Sequence, residues 1–157
     1  MYKRQGASAT RSPRPAALDG LRTTFVEPVV PEDEGVDLTT ADLIVCVGRG
    51  IGGADNIPLA EDLADALGAE LAASRPVVDS GWLPKIRQVG KSGATVRPKL
   101  YLSLGVSGAP EHVEGMQGAE LIVAVNTDPG AAIFNVAHYG AVADLFDVAD
   151  ELTGLLG

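Results

Sequence analysis

The stretch Leu43-Ile44-Val45-Cys46-Val47, followed by Gly48-Arg49-Gly50-Ile51-Gly52-Gly53, decides the fold of this 157-residue chain. Five consecutive apolar residues that end at a glycine are typical of a strand buried on both faces of a parallel sheet. A helix is predicted directly afterwards, over residues 57–67, because Pro58 suits a first helical turn and Gly68 a stop. Strand, glycine turn and helix in this order predict an α/β domain.

The same alternation continues to the end of the chain. Further strands are predicted at residues 69–73, 99–104 and 121–125, helices at 111–116 and 144–156, and short strands or turns at 133–136 and 139–142. A long irregular stretch, residues 77–97, separates the second and third strands and suggests a functional loop. The expected fold is a three-layer α/β sandwich with a mostly parallel central sheet. Ligands of such sheets bind beyond the carboxyl ends of the strands.

The first 38 residues lack any sustained hydrophobic period. They are predicted to be a flexible lead or linker with at most one short strand at residues 24–30, and residues 39–157 are predicted to form the folded domain. An arginine-rich, acid-poor N-terminus has some character of an organellar transit peptide, but a disordered lead is the preferred interpretation.

Charge and composition exclude several classes of function. The net charge of −9 argues against nucleic-acid binding, which requires a basic face. A single cysteine, Cys46, leaves no disulfide framework and indicates a reducing compartment. No apolar run is long enough to span a bilayer, so no membrane insertion is expected.

Three interpretations of the turn at residues 48–53 stay open. It matches the GxGxxG fingerprint of dinucleotide-binding folds, but such a site expects an acid after the second strand, where Ser74 and Arg75 stand instead. The glycines could also serve a structural turn, or belong to a different nucleotide-binding fold.

Other short motifs in the chain lack residues that their usual functions require. The run Gly90-Lys91-Ser92 lacks the earlier glycine of a P-loop, since Lys85 stands at that position. His112 has no metal-ligand partners at suitable spacing, so a zinc site is not expected. Ser107 lacks the second glycine of a hydrolase elbow. His138 is interpreted as a structural, hydrogen-bonded residue.

An ordered series of short motifs runs through the remaining sequence. The series comprises Gly48-Arg49-Gly50, Ser74-Arg75, Asp79-Ser80-Gly81-Trp82, Gln88-Val89-Gly90-Lys91-Ser92-Gly93, Pro98-Lys99-Leu100-Tyr101, Ser107-Gly108-Ala109-Pro110-Glu111-His112, Asn126-Thr127-Asp128-Pro129, Ile133-Phe134, and Tyr139-Gly140 with Asp144-Leu145-Phe146. From about residue 36 to 157 this series resembles the FAD-binding C-terminal domain of the electron-transfer flavoprotein α subunit. The resemblance implies a sandwich of the DHS-like NAD/FAD-binding domain type that holds one FAD non-covalently.

The resemblance also implies a function in fatty acid β-oxidation. Such a protein is an electron carrier rather than an enzyme: it accepts electrons from dehydrogenases, typically acyl-CoA dehydrogenases, and passes them to a membrane quinone reductase. Its expected partner is the β subunit of a heterodimer. Its expected location is the cytoplasm of a bacterium or archaeon, or the mitochondrial matrix of a eukaryote.

Cofactor-binding residues are implied by the same resemblance. It puts Arg75 near the flavin ring, Gln88, Val89, Gly90 and Ser92 along the edge of the ring, and Ser107, Gly108 and His112 on its ring and ribityl side. It puts Asn126 and Asp144 towards the ribityl and adenosine portion and Arg49 near the pyrophosphate. The remaining implied contacts are Ser74, Lys91, Gly93, Glu111, Thr127 and Leu145.

The chain departs from the family pattern at three positions. Lys91, Glu111 and His138 stand where the family commonly has Gln, Gln and Asp. The sizeable N-terminal domain of an α subunit has no counterpart in the 38-residue lead, which suggests a fragment or a stand-alone FAD module. Alternatives to the carrier are a subunit of an electron-bifurcating complex, an NAD- or nucleotide-dependent enzyme on a related fold, and a fragment that acts only in dimerisation.

Overall fold

A computed structural model describes residues 36–156 of the chain. Nearly all of the predicted lead, including the short strand expected at residues 24–30, therefore lies outside the described residues.

Five parallel strands form one sheet. They are β1 (Leu43–Val47), β2 (Glu70–Ala73), β3 (Leu100–Leu104), β4 (Leu121–Asn126) and β5 (Tyr139–Val142), in the spatial order β2-β1-β3-β4-β5. Every pairing between neighbours is parallel, with Val45 opposite Leu71 on one side and Leu102 on the other. The predicted α/β class and its mostly parallel sheet are confirmed, and each strand was expected within a residue or two of its observed bounds.

Four α-helices cover the sheet: α1 (Ile57–Leu67), α2 (Arg75–Asp79), α3 (Pro110–Met116) and α4 (Leu145–Leu156). The bounds of α1 match the prediction, and Gly68 ends it in a left-handed conformation. Helix α2 corrects the expectation that residues 77–97 are irregular from their start, because Ser74 and Pro76 begin a short helix there. Residues 132–135 form a 3₁₀ turn rather than a strand.

The strands bury both faces, and two apolar clusters result. Helices α1 and α4 pack against one face over Val45, Val47 and Leu104, while Met116 of α3 packs on the other over Ile44 and Tyr101. Within residues 36–156 every helix is too short or too polar to cross a bilayer.

From β1 the chain adds β2 on one side of the sheet and then β3, β4 and β5 on the other, so the strand order reverses between β1 and β3. The loops that follow β1 and β3 contact each other at this point. Gly48 N–H donates to the carbonyl of Leu104 at 2.8 Å, and Gly50 N–H to that of Gly105 at 3.1 Å. A Cβ on Gly48 would collide with the backbone of Gly105. Of the three interpretations of the 48–53 turn, these contacts directly support the structural turn, in which glycine permits close packing of two backbones.

Candidate functional site

A cleft with a volume of about 840 Å³ lies at the carboxyl edge of the sheet. Its wall comes from the loops that follow β1, β2, β3 and β4 and from residues 88–92. Its size falls within the roughly 300–1,000 Å³ that small-molecule and cofactor sites occupy. Its position, beside the reversal between β1 and β3, is where parallel α/β sheets commonly bind ligands.

Most of the residues that sequence analysis assigns to the cofactor come together in this cleft. Those lining it are Arg49, Ser74, Arg75, Gln88, Val89, Gly90, Lys91, Ser92, Ser107, Gly108, Glu111, His112 and Asn126. They derive from five separate segments of sequence, so their meeting is a consequence of the fold and not of proximity along the chain.

Four of the assigned residues lie outside the cleft lining. Asp144 accepts a hydrogen bond from the N–H of Phe146 at 2.8 Å and so caps the first turn of α4. Leu145 is buried in the core. Gly93 lies against the backbone of Gln88, and Thr127 follows β4 at the surface. Their assignment to FAD stays a prediction.

Other residues of the cleft wall were not expected from sequence. They are Gly50, Pro76, Asp79, Gly105, Val106, Ala109, Pro110, Asp128 and Gly130 to Ala132. Most sit within one or two residues of an expected contact. Asp79 had a signal of its own, because it stands four residues after Arg75, which is the spacing of an ion pair on a helix.

Arg75 and Asp79 form that ion pair at the mouth of the cleft, with Nε 3.2 Å from Oδ2. Both side chains are well exposed, so the pair contributes little to stability. Lys91 pairs with Glu114, its Nζ 3.8 Å from Oε2, while the backbone carbonyl of Glu111 accepts the backbone N–H of Lys91. With Arg49 after β1, positively charged side chains therefore lie at three separate points of the wall.

Gln88 is fully buried and its side chain is oriented by a cation outside the cleft. The Lys85 ammonium donates to Oε1 of Gln88 at 2.7 Å. The backbone N–H of Val89 donates to the carbonyl of Ala73, so the segment that bears Gln88 lies parallel to the end of β2 and pairs with it. These contacts fix where the amide meets the cleft.

Backbone donors without acceptors also line the cleft. Among the described residues, the N–H groups of Ser92, Ser107, Gly108 and Ala109 donate to no protein group. Gly108 has a φ of +83°, a conformation that turns the segment at the end of β3. Successive unpaired N–H groups of this kind suit the oxygens of a phosphate or of a flavin carbonyl.

His112 forms the part of the wall next to the core. Its Nε2 lies 3.0 Å from the hydroxyl of Tyr101, and its Nδ1 is buried without a hydrogen-bond partner among the described residues. Burial lowers the pKa of His112 from 6.5 to about 4. The ring is therefore neutral at physiological pH.

His138 has a structural contact, as sequence analysis expected. Its Nδ1 accepts a hydrogen bond from the backbone N–H of Ile122 at 2.9 Å. Ile122 lies one residue before the pairing of β4 with β5 begins, at Val123 and Tyr139. The side chain replaces a sheet hydrogen bond. It lies outside the cleft lining.

The lowered pKa of His112 predicts a pH-dependent stability. In the unfolded chain the imidazole takes up a proton near pH 6.5, whereas in the folded chain it does so only near pH 4. Its contribution is therefore complete above about pH 6.5 and is lost as the pH falls towards 4. Between pH 7.5 and 5 we expect urea titration to show a loss of about 2 kcal/mol that the His112→Gln variant does not share. Equal losses in both proteins would contradict the assignment.

Comparison with known protein families agrees with this geometry. A family model described as the electron transfer flavoprotein FAD-binding domain matches residues 37–117, which is just over half of the chain.

Curated relatives give the same picture. The chain is 52% identical over 122 residues to an electron transfer flavoprotein subunit alpha of Methylophilus methylotrophus, covering 77% of the chain and 38% of the relative. It is 43% identical over 154 residues to a mitochondrial electron transfer flavoprotein subunit alpha of Caenorhabditis elegans, covering 98% and 46%. It is 42% identical over 128 residues to subunit LctC of a lactate dehydrogenase (NAD(+),ferredoxin) of Acetobacterium woodii, covering 82% and 31%. The chain thus spans less than half the length of each relative.

Proposed function

The chain belongs to the electron transfer flavoprotein α-subunit family through its FAD-binding domain, and we propose that it is an electron carrier whose FAD lies in the cleft at the carboxyl edge of the sheet. One observation carries this proposal. Thirteen of the seventeen residues that the family pattern assigns to the cofactor line a single cleft of about 840 Å³.

The chemistry of the cleft wall fits a flavin nucleotide. The unpaired N–H groups of Ser107, Gly108 and Ala109 are donors for phosphate or carbonyl oxygens. A Cβ on Gly108 would collide with the backbone of Ile133, so the loop that bears these donors has a shape that only glycine permits. Apolar surface from Val89, Val106 and the alanines completes a wall suited to a planar ring.

Charged side chains of the wall supply the electrostatics. Bound FAD would provide one- and two-electron redox chemistry. Arg75 carries a charge that cannot be lost at any physiological pH, and this charge stabilises negative charge gained on reduction. Asp79 offsets part of that effect through its ion pair with Arg75. Lys91 adds a second cation at a position where the family commonly has a neutral glutamine.

The family and the names of the relatives support a carrier rather than an enzyme. A carrier relays electrons without transforming a substrate, so this role requires no general base in the cleft. The chain's proposed partners are a β subunit, dehydrogenases such as those for acyl-CoA, and a quinone reductase, in the cytoplasm of a prokaryote or the matrix of a mitochondrion. Membership of the family and the mitochondrial name of one relative support these assignments.

Reduction of the flavin by a donor enzyme tests the carrier function. The chain is assembled with a β subunit and FAD, and acyl-CoA with its dehydrogenase is added without oxygen. We expect the visible absorbance of the carrier's flavin to bleach when acyl-CoA and a catalytic amount of dehydrogenase are both added, and to persist when either is omitted. A flavin that remains oxidised with every dehydrogenase tested would contradict the proposed role.

A second candidate function is a subunit of an electron-bifurcating complex. The relative from Acetobacterium woodii supports it, because the name of that protein joins NAD(+) and ferredoxin. NADH distinguishes the two candidates. Bleaching by NADH alone would favour the bifurcating complex, whereas bleaching only by the acyl-CoA system favours the simple carrier.

A further inference from the structure

A buried cluster of three titratable side chains lies directly behind the cleft wall. It consists of Cys46 on β1, Tyr101 on β3 and His112 on α3. The Tyr101 hydroxyl is 3.0 Å from Nε2 of His112, and the Cys46 thiol is 4.0 Å from the same nitrogen. Tyr101 is completely inaccessible to solvent, and of the three only His112 lines the cleft.

All three groups of the cluster are uncharged at neutral pH. Burial raises the pKa of Cys46 to about 12, raises that of Tyr101 well above 10 and lowers that of His112 to about 4. The contact between Tyr101 and His112 is therefore a hydrogen bond between a neutral phenol and a neutral imidazole.

The direction of that hydrogen bond depends on which acceptors the phenol O–H and the ring N–H can each reach. The phenol has one O–H, and its two possible acceptors are Nε2 of His112, at 3.0 Å, and the sulfur of Cys46. If Nε2 carried the ring proton, it would donate to the phenol and leave the buried O–H with only the weakly accepting sulfur of Cys46 nearby. In the other tautomer the phenol O–H meets the stronger acceptor, Nε2, and the ring N–H lies on Nδ1 beside the backbone of Val89, which can accept it. The phenol therefore donates, Nε2 accepts, and the ring proton lies on Nδ1.

We propose that Tyr101 is a positioning residue of the flavin site: its hydroxyl holds the ring of His112 in the cleft wall and directs the ring proton to Nδ1, on the side of the Val89 backbone. His112 then contributes a neutral ring to the cleft wall, and its Nδ1 proton stays enclosed by the protein, because that nitrogen is buried from solvent. Positive charge in the cleft wall is left to Arg49, Arg75 and Lys91. The inference rests on the proposed function only for the identity of the ligand, because the tautomer is a property of the chain itself.

The tautomer can be read directly in the full chain before FAD is added. Nitrogen NMR of protein with ¹⁵N-labelled histidine distinguishes protonated from unprotonated ring nitrogens. We expect His112 to have a protonated Nδ1 and an unprotonated Nε2 at pH 7. In Tyr101→Phe, which loses only the hydroxyl, we expect the two nitrogens to shift towards each other as the tautomers mix. A protonated Nε2 in the natural chain, or an unchanged ring in Tyr101→Phe, would overturn the proposal.

Tyr139→Phe is the matched control, because it removes the same hydroxyl from a side chain that is 69% exposed and remote from His112. We expect it to leave the nitrogen spectrum of His112 unchanged.

The dissociation constant for FAD should rise about three- to tenfold in Tyr101→Phe and remain unchanged in Tyr139→Phe. If the tautomer is as proposed but none of the three proteins binds FAD, the proposed function fails while the positioning by Tyr101 stands. If FAD binds equally in all three proteins, the link from Tyr101 to the cofactor is wrong.

Discussion

Gly108→Ala is expected to destabilise the fold by about 2–5 kcal/mol and to abolish FAD binding. Its φ of +83° costs a non-glycine residue roughly 1–2 kcal/mol. The added Cβ would also collide with the backbone of Ile133, which cannot move aside as a flexible side chain could. Relief of that collision requires displacement of the loop that bears Ser107, Gly108 and Ala109. Urea unfolding measures the loss of stability, and a titration with FAD measures the loss of binding.

Gly81→Ala separates the two causes. Gly81 has a similar φ of +74°, but nothing lies within 4 Å of a Cβ built there. We expect this variant to lose only the conformational part, about 1–2 kcal/mol, and to bind FAD normally. Equal losses in the two variants would show that close packing against Ile133 is unimportant.

Arg75→Met is expected to lower the reduction potential of the bound flavin by roughly 60 mV, which corresponds to about 1.4 kcal/mol for a one-electron couple. The guanidinium lines the cleft and remains charged, so its loss removes a stabilising charge from the reduced state alone. Asp79→Asn is expected to shift the potential upward by a smaller amount, because it frees Arg75 from its ion pair.

Lys99→Met is the control for loss of one positive charge. Lys99 lies before β3, at the amino edge of the sheet, where its ammonium contacts Asp42 at 2.9 Å. Salt screens exposed charges over about 8–10 Å, so the potential should be unaffected by this change. A potential that is the same in Arg75→Met and in the natural protein would exclude Arg75 from the electrostatics of the flavin.

Much of the fold was predictable because its signals are local. The apolar run at β1 and the cap residues Pro58 and Gly68 of α1 act within a few positions of the elements they determine. Helix α2 was missed because five residues are too few to show a helical period. The bridges that join Gln88 to Ala73 and Val89 to Ala94 are tertiary features without a sequence pattern.

The candidate site was predictable through family resemblance more than through chemistry. Arg75 and His112 were both assigned to it, yet the contact of His112 with Tyr101 joins a helix to a strand and leaves no signature in the spacing of the two residues. Asp144 shows the opposite case. Its place just before an amphipathic helix indicates an N-cap, and that is the contact the structure gives it.

We expect one FAD to bind in the cleft of each chain, and a titration with FAD measures this stoichiometry. The full chain, assembled with a β subunit, is titrated with FAD while the visible flavin spectrum is recorded, and Gly108→Ala is treated in the same way. We predict saturation at one FAD per chain for the natural protein and no binding for the variant. Absence of bound flavin in the natural protein, or equal binding by the variant, would contradict the assignment of FAD to this cleft.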